Sequence, residues 1–321
     1  MDYDLFNGDA DGICSLIQLR LADPRDSELV TGIKRNIKLF DQVKPESGDR
    51  ITALDISMEK NQAGLSSALE AGASVFYADH HRSGDIPEHP NLTAHINLSA
   101  DTCTSVIVDG HLQGRYREWA IVGAFGDNML KTANVLCETL STPALTSEQI
   151  KTLRDLGVLM NYNGYGASID DLFYHPSELY RLASRFESPL EFVRAKPEVF
   201  RELSRGFESD MSQGLGISPL KCSDQAAMIL LPDEPWARRI SGVLGNELAN
   251  QYPDRAHAIL TEREEQVDGK PTYQVSIRAP KNNLTGADTI AMKFGGGGRK
   301  GAAGIDRLLH AEIEALWAEF L

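Results

Sequence analysis

The chain has 321 residues, with 32 Lys plus Arg against 46 Asp plus Glu, a formal net charge of −14. That length allows two domains of ordinary size with a substantial core, and 42% apolar with 24% charged residues is a soluble globular profile. The acid excess argues against a binder of long nucleic acids, which needs many Lys and Arg contacts to phosphates, but not against a short anionic substrate gripped by a local positive site.

Tyr3, Leu5 and Phe6 read as a first strand, followed by "FNGDADG" and a helix over residues 11–22. Residues 51–54 form a strand ending in Asp55. Residues 58–71 then have the helical spacing of Ala63, Leu65, Ala68 and Leu69. Residues 73–78, "ASVFYA", are a strand ending in Asp79, His80 and His81. This β-α-β alternation predicts a parallel sheet covered by helices, in which ligands bind beyond the carboxyl ends of the strands. A helix over residues 117–124 leads into "GAFGDN" and delivers Asp127. Residues 129–213 read as polar and helical, with breaks at Pro143, Pro176, Pro189 and Pro197.

Residues 214–219, "GLGISP", read as a linker. A second alternating pattern begins at residues 226–231. It continues as a helix over 236–250, strands at 256–261 and 272–278, a helix over 286–293, a glycine loop and a terminal helix. The predicted fold is α/β: a parallel-sheet domain over 1–213, a linker over 214–224, and a smaller α/β domain over 225–321, with an interdomain cleft. No apolar run is long enough to cross a membrane, and a strand at the very start leaves no signal or transit peptide. Cys14, Cys103, Cys137 and Cys222 show no CxxC pairing or framework spacing, so reduced thiols in a cytoplasmic protein are expected.

An Asp after a strand is commonly a turn former or a helix N-cap, and Asp55 or Asp127 alone would carry no more than that. Asp9 and Asp11 are harder to dismiss, because only one of the pair can cap, and residues two apart in an extended chain point the same way. Asp9, Asp11, Asp55, His80 and Asp127 together make an oxygen-rich set with one imidazole. That set favours Mn²⁺ or Mg²⁺ over a thiolate zinc site, and a carboxylate such as Asp55 could bridge two ions.

The ordered set "DADG", "LDIS", "ADHH", "GAFGDN" resembles the four motifs of the DHH phosphoesterase superfamily, and "GGGGRKGAAG" after "SIRAP" resembles the DHHA1 domain of one branch. The resemblance covers both halves of the chain. It implies two divalent cations, Mn²⁺ preferred: Asp9 on the first, Asp11, His80 and Asp127 on the second, and Asp55 between them. It further implies that Asp79 orients His80 and that His81 faces the substrate phosphate. Arg278, Gly296, Gly297, Gly298, Arg299 and Lys300 would bind substrate, the bare backbone N–H groups approaching phosphate and Arg supplying bidentate contacts.

Two positions depart from the family pattern. Leu5 stands where many members place a His ligand of the first ion, making Asn7 the candidate replacement ligand. Arg299 stands where the glycine loop often carries a His. The implied function is Mn²⁺-dependent hydrolysis of short oligonucleotides or linear dinucleotides to 5′-mononucleotides by a metal-activated water. The competing readings are a bisphosphonucleoside phosphatase or cyclic-dinucleotide phosphodiesterase, a RecJ-like single-strand exonuclease, and a non-enzymatic nucleotide-binding regulator with a degraded metal site. A homodimer is expected from the family.

Overall fold

The computed structural model describes residues 1–140 and 144–321, and the chain divides into two compact units, Met1–Ser204 and Arg205–Leu321. The break expected at Pro143 lies outside the described residues.

The first unit opens with β1 (Asp2–Phe6), α1 (Ala10–Ala22), β2 (Glu28–Val30), β3 (Arg50–Leu54), α2 (Met58–Glu70), β4 (Ser74–Asp79) and β5 (Leu92–Ile96). The five strands form one sheet in the order β2-β1-β3-β4-β5, parallel at every pairing. Alternation along the strands decides what each face meets. Leu5, Ile51, Ala53, Val75 and Tyr77 turn to one face and pack with Leu65, Ala68 and Leu69 of α2. Asp4 and Thr52 turn to the other, where Arg20 of α1 donates to Asp4 Oδ2 at 2.8 Å and to Thr52 Oγ1 at 2.7 Å. The edge strands β2 and β5 are absent from the sequence reading, being short and lacking a continuous apolar run.

The unit continues with α3 (Thr104–His111), α4 (Arg117–Gly126), α5 (Leu130–Thr139), α6 (Ser147–Asn163), α7 (Pro176–Ala183) and α8 (Pro189–Ala195), and α9 (Pro197–Leu215) follows. The expected breaks at Pro176, Pro189 and Pro197 are the first residues of α7, α8 and α9, a position that needs no N–H and suits the fixed φ of proline. α1, α4 and α6 approach closely. A Cβ on Gly126 would come within 2.3 Å of Ala10 Cβ and 2.8 Å of the Gly157 carbonyl. Gly214 and Leu215, read as linker, are the last residues of α9; a Cβ on Gly214 would sit 2.3 Å from Ile240 Cδ1, so the glycine serves packing there.

The second unit holds β6 (Lys221–Cys222), β7 (Ala226–Leu231), α10 (Pro235–Gln251), β8 (Ala256–Val267), β9 (Lys270–Arg278), α11 (Ala287–Lys293), β10 (Gly297–Arg299), β11 (Ala302–Leu309) and α12 (Ile313–Ala318). Its sheet runs β10-β11-β9-β8-β7-β6, parallel between β7 and β8 and antiparallel at the other pairings. Leu260, Tyr273, Val275, Ile277 and Ile305 pack with Ala291 and Leu316 on one face. The glycine loop of the sequence reading is in part the edge strand β10. Among the described residues, no helix is long and apolar enough to cross a membrane, and all four cysteines are free.

Candidate metal centre

The parallel sheet of the first unit brings the ends of β1, β3 and β4 to one edge, and with them the residues that follow each strand. Asp9 caps α1, its Oδ1 accepting the N–H groups of Asp11 at 3.0 Å and Gly12 at 3.1 Å. Only glycine fits at position 12, since a Cβ there would lie 2.2 Å from the Asn7 carbonyl. Asp55 follows β3 with φ 57°, a left-handed conformation costly outside glycine and characteristic of functional positions. His80 follows β4.

His80 is the hub. Its Nε2 lies 3.3 Å from Asp55 Oδ1, 3.9 Å from Asp11 Oδ2 and 3.9 Å from Asp127 Oδ2. Its Nδ1 lies 2.9 Å from the Thr102 carbonyl, which can only accept. Nδ1 therefore carries a proton, and Nε2 is the nitrogen that faces the carboxylates. Asp11 is anchored by the start of α3, accepting the N–H groups of Thr104 at 2.7 Å and Ser105 at 2.8 Å, one on each oxygen. Thr104 Oγ1 donates to Asp55 Oδ1 at 3.1 Å.

These groups are buried: Asp11 and Asp55 are 1% exposed and His80 5%. Burial, then the neighbouring Asp11 and Asp9 charges, push the Asp55 carboxyl well above the ordinary carboxylate range. Crowded buried carboxylates of this kind become stable as anions once a cation joins them. Asp55, His80 and His81 also offer ligand atoms within 4.8 Å of one another. Asp11, Asp55, His80 and Asp127, oxygen-rich with one imidazole, fit a hard or borderline divalent ion.

The Asp9 end differs. Asp9 Oδ2 pairs with the Lys34 ammonium, which also donates to Asn161 Oδ1 at 2.9 Å. The ammonium faces Asp127 Oδ1 at 3.9 Å and lies 5.4 Å from the Tyr165 ring centre. Burial, the largest influence, raises the Asp9 carboxyl, but the charge and hydrogen bond of Lys34 together with the Gly12 N–H hold Asp9 below its ordinary value. Burial likewise opposes the Lys34 charge, and Asp9 together with Tyr165 and Asp127 carries that group above the ordinary lysine range. Both shifts favour the ion pair. The residues at this end do not fit the first of the two expected ions, because an ammonium holds the oxygen that ion would take.

Leu5 is fully buried in the apolar core under α2. Asn7, expected as a replacement ligand, donates from Nδ2 to the Lys34 carbonyl at 3.2 Å; its Oδ1 is buried without a hydrogen-bond partner among the described residues. Asp79 differs from expectation. Its Oδ1 pairs with His81 Nδ1 at 2.7 Å, so Asp79 orients His81, and the Thr102 carbonyl orients His80. Two residues apart, Asp79 and His81 share a side of the extended chain, whereas the neighbouring His80 turns away.

Lys34, Asn161, Thr102 and Thr104 have no part in the sequence reading. Lys34 follows β2, whose parallel pairing with β1 carries it to the edge that holds Asp9, and without β2 the sequence reading has no signal for it.

The second unit groups the other predicted residues. Arg278 on β9 and Arg299 on β10 both stand opposite Ala302 of β11, which puts them on one face of the sheet. The Arg278 guanidinium donates to Asn246 Oδ1 at 2.6 Å, Ser276 Oγ at 2.9 Å and the Gly242 carbonyl at 3.2 Å. Gly296 and Gly298 lie against β11, where a Cβ would come within 2.2 Å of the Gly304 carbonyl and 2.5 Å of Ala303 Cα. Lys300 is exposed.

No protein-family model matches the sequence, and no curated protein matches it either. Solved structures do. RecJ from Thermus thermophilus in complex with Mn²⁺ matches 99% of this chain at 18% identity and TM-score 0.59. This chain spans 51% of that one. An exonuclease RecJ bound to manganese matches 99% of this chain at 18% identity and TM-score 0.53, with 88% of its own length covered. The pGpG-specific phosphodiesterase PggH from Vibrio cholerae matches 99% at 15% identity and TM-score 0.50, with 97% of its length covered. With the motif-bearing strand ends of its parallel sheet and a second α/β unit of mixed sheet, this chain has the DHH/DHHA1 fold.

Proposed function

We propose that the chain is a metal-dependent phosphodiesterase acting on short oligonucleotides or linear dinucleotides, with Mn²⁺ as the preferred ion. The observation that carries this reading is the convergence of Asp11, Asp55 and Asp127 on His80 Nε2, within 3.9 Å. Asp11, Asp55, His80 and Asp127 would hold a divalent ion, which would supply polarisation of a phosphoryl oxygen and a lowered pKa for a water. The Thr102 carbonyl and the start of α3 hold His80 and Asp11 in place for it, the outer support that metal ligands commonly need. His81 is oriented by Asp79, whose Oδ1 lies 2.7 Å from His81 Nδ1, so Nε2 is the ring nitrogen proposed to face the phosphate.

The net charge of −14 supports a short substrate, because only a few phosphates need local cations. The pGpG specificity of the neighbour from Vibrio cholerae supports a linear dinucleotide among such substrates. Arg299, Lys300 and the backbone of Gly296, Gly297 and Gly298, with Arg278 behind them, are the proposed phosphate grips of the second unit.

Product analysis in Mn²⁺ on a labelled dinucleotide, oligomers, a bisphosphonucleoside and cyclic dinucleotides tests the reading. The dinucleotide should be cleaved fastest, to 5′-mononucleotides. Absence of cleavage across the panel would refute the enzyme reading, and equal rates on long single strands would refute the argument from charge.

A further inference from the structure

The acid cluster is compensated in two different ways at its two ends. At the Asp55 end, Asp11, Asp55 and Asp127 surround an imidazole nitrogen. At the Asp9 end, a cation belonging to the chain is already in place. Lys34 is fastened at every level that fixes a side chain. Its N–H donates to the Gly164 carbonyl at 2.7 Å, and its carbonyl accepts from Asn7 Nδ2 at 3.2 Å. Its ammonium bonds both Asp9 and Asn161. Both Asp9 oxygens are engaged, Oδ1 by the Asp11 and Gly12 N–H groups and Oδ2 by the Lys34 ammonium. A divalent ion entering there would meet an ammonium at close range and would have to displace it from a buried carboxylate, which like-charge repulsion opposes.

We infer that the chain binds one divalent cation, at Asp11, Asp55, His80 and Asp127, and that the fixed Lys34 ammonium is the second positive charge of the centre. This rests on the metal-dependent reading proposed above and changes its composition: one exchangeable ion beside one that cannot leave. Asn7 and Asn161 become positioning residues for Lys34.

Equilibrium binding of Mn²⁺ to the full chain, with electron paramagnetic resonance of the loaded protein, tests the inference without reference to turnover. The wild type should bind one Mn²⁺ and show the hyperfine pattern of an isolated ion. Lys34→Ala and Lys34→Gln should each bind a second ion and show the exchange-coupled spectrum of a pair about 3.5–4 Å apart. Lys34→Arg, which keeps the charge, should stay at one. Two variants guard against one failing to fold, and circular dichroism checks each. Two ions with comparable affinity in the wild type would overturn the inference while leaving the proposed function standing. One ion in both neutral variants would overturn the assignment of Lys34 as the excluding charge. No ion in the wild type or any variant would remove the proposed function along with it.

Discussion

Asp55→Asn should act in opposite directions on stability and on metal binding. Asparagine suits the site sterically: it tolerates the φ of 57° at this position better than most residues do, and its Oδ1 can still accept from Thr104 Oγ1, as Asp55 does at 3.1 Å. An alanine there would confound the result with backbone strain of about 1–3 kcal/mol. The substitution removes a carboxyl that burial, Asp11 and Asp9 make costly to ionise. Without metal, the variant should be more stable than wild type by about 1–3 kcal/mol, the scale of a badly compensated buried polar group. For a unit of this size that is a rise of about 2–4 °C per kcal/mol in melting temperature. With Mn²⁺ at about 100 times its dissociation constant, the wild type should gain about 2.7 kcal/mol, and the variant little. The gap between the two melting curves should therefore close or reverse on addition of Mn²⁺, as read by calorimetry with and without a chelator. A variant that melts lower than wild type in chelator and keeps its full Mn²⁺-dependent rise would refute both the electrostatic account and the ligand role.

Four further outcomes follow from the fold. His257 is buried, and burial followed by the Arg255 charge depresses it from 6.5 to about 4; the unfolded chain then holds the extra proton between those values, so stability falls as pH drops through that window, by roughly 3 kcal/mol in full. His257→Gln should flatten that part of the profile in urea titrations at stepped pH. Arg20→Met strands the buried Asp4 carboxylate and should cost about 3–5 kcal/mol, with part recovered in the Arg20→Met, Asp4→Asn double variant of a mutant cycle. Gly126→Ala drives a methyl into Ala10 and Gly157, should cost about 1–3 kcal/mol, and should weaken Mn²⁺ binding about 10-fold by moving Asp127. Gly110→Ala, with open space around its Cβ, should gain about 0.5–1 kcal/mol and leave Mn²⁺ binding unchanged.

Much of the first unit is legible because β3 and β4 are mostly apolar and each ends in a polar turn. Residues 51–54 and 73–78 read as strands for that reason, and β3 and β4 lie there. β2 and β5 escape the same reading because an edge strand needs only one paired side. Glu28–Val30 has three residues, and Leu92–Ile96 carries Thr93 and His95. The glycine loop fails in another way. Four consecutive glycines read as conformational freedom, yet Gly296 and Gly298 are needed for close approach to β11, a contact that local sequence cannot express.

The metal centre shows where such reading stops, and the boundary is physical. Which residues gather is set by the parallel sheet, because every strand delivers its last residues to one edge. Asp9, Asp11, Asp55 and His80 are foreseeable on that ground, whereas Asp127 follows the helix α4 and is foreseeable only from the motif resemblance. Which partner each chooses is set by distances of a few ångströms between segments far apart in sequence. Asp79 takes His81 because both project to one side of the chain, and His80 takes a carbonyl from residue 102. Lys34 lies 25 residues from Asp9, and only the parallel pairing of β2 with β1 brings them together. Leu5 was the available clue. A buried acid beside a core leucine, where the resemblance leads one to expect a metal ligand, still needs a positive charge, and the chain supplies Lys34 from the segment after the neighbouring strand.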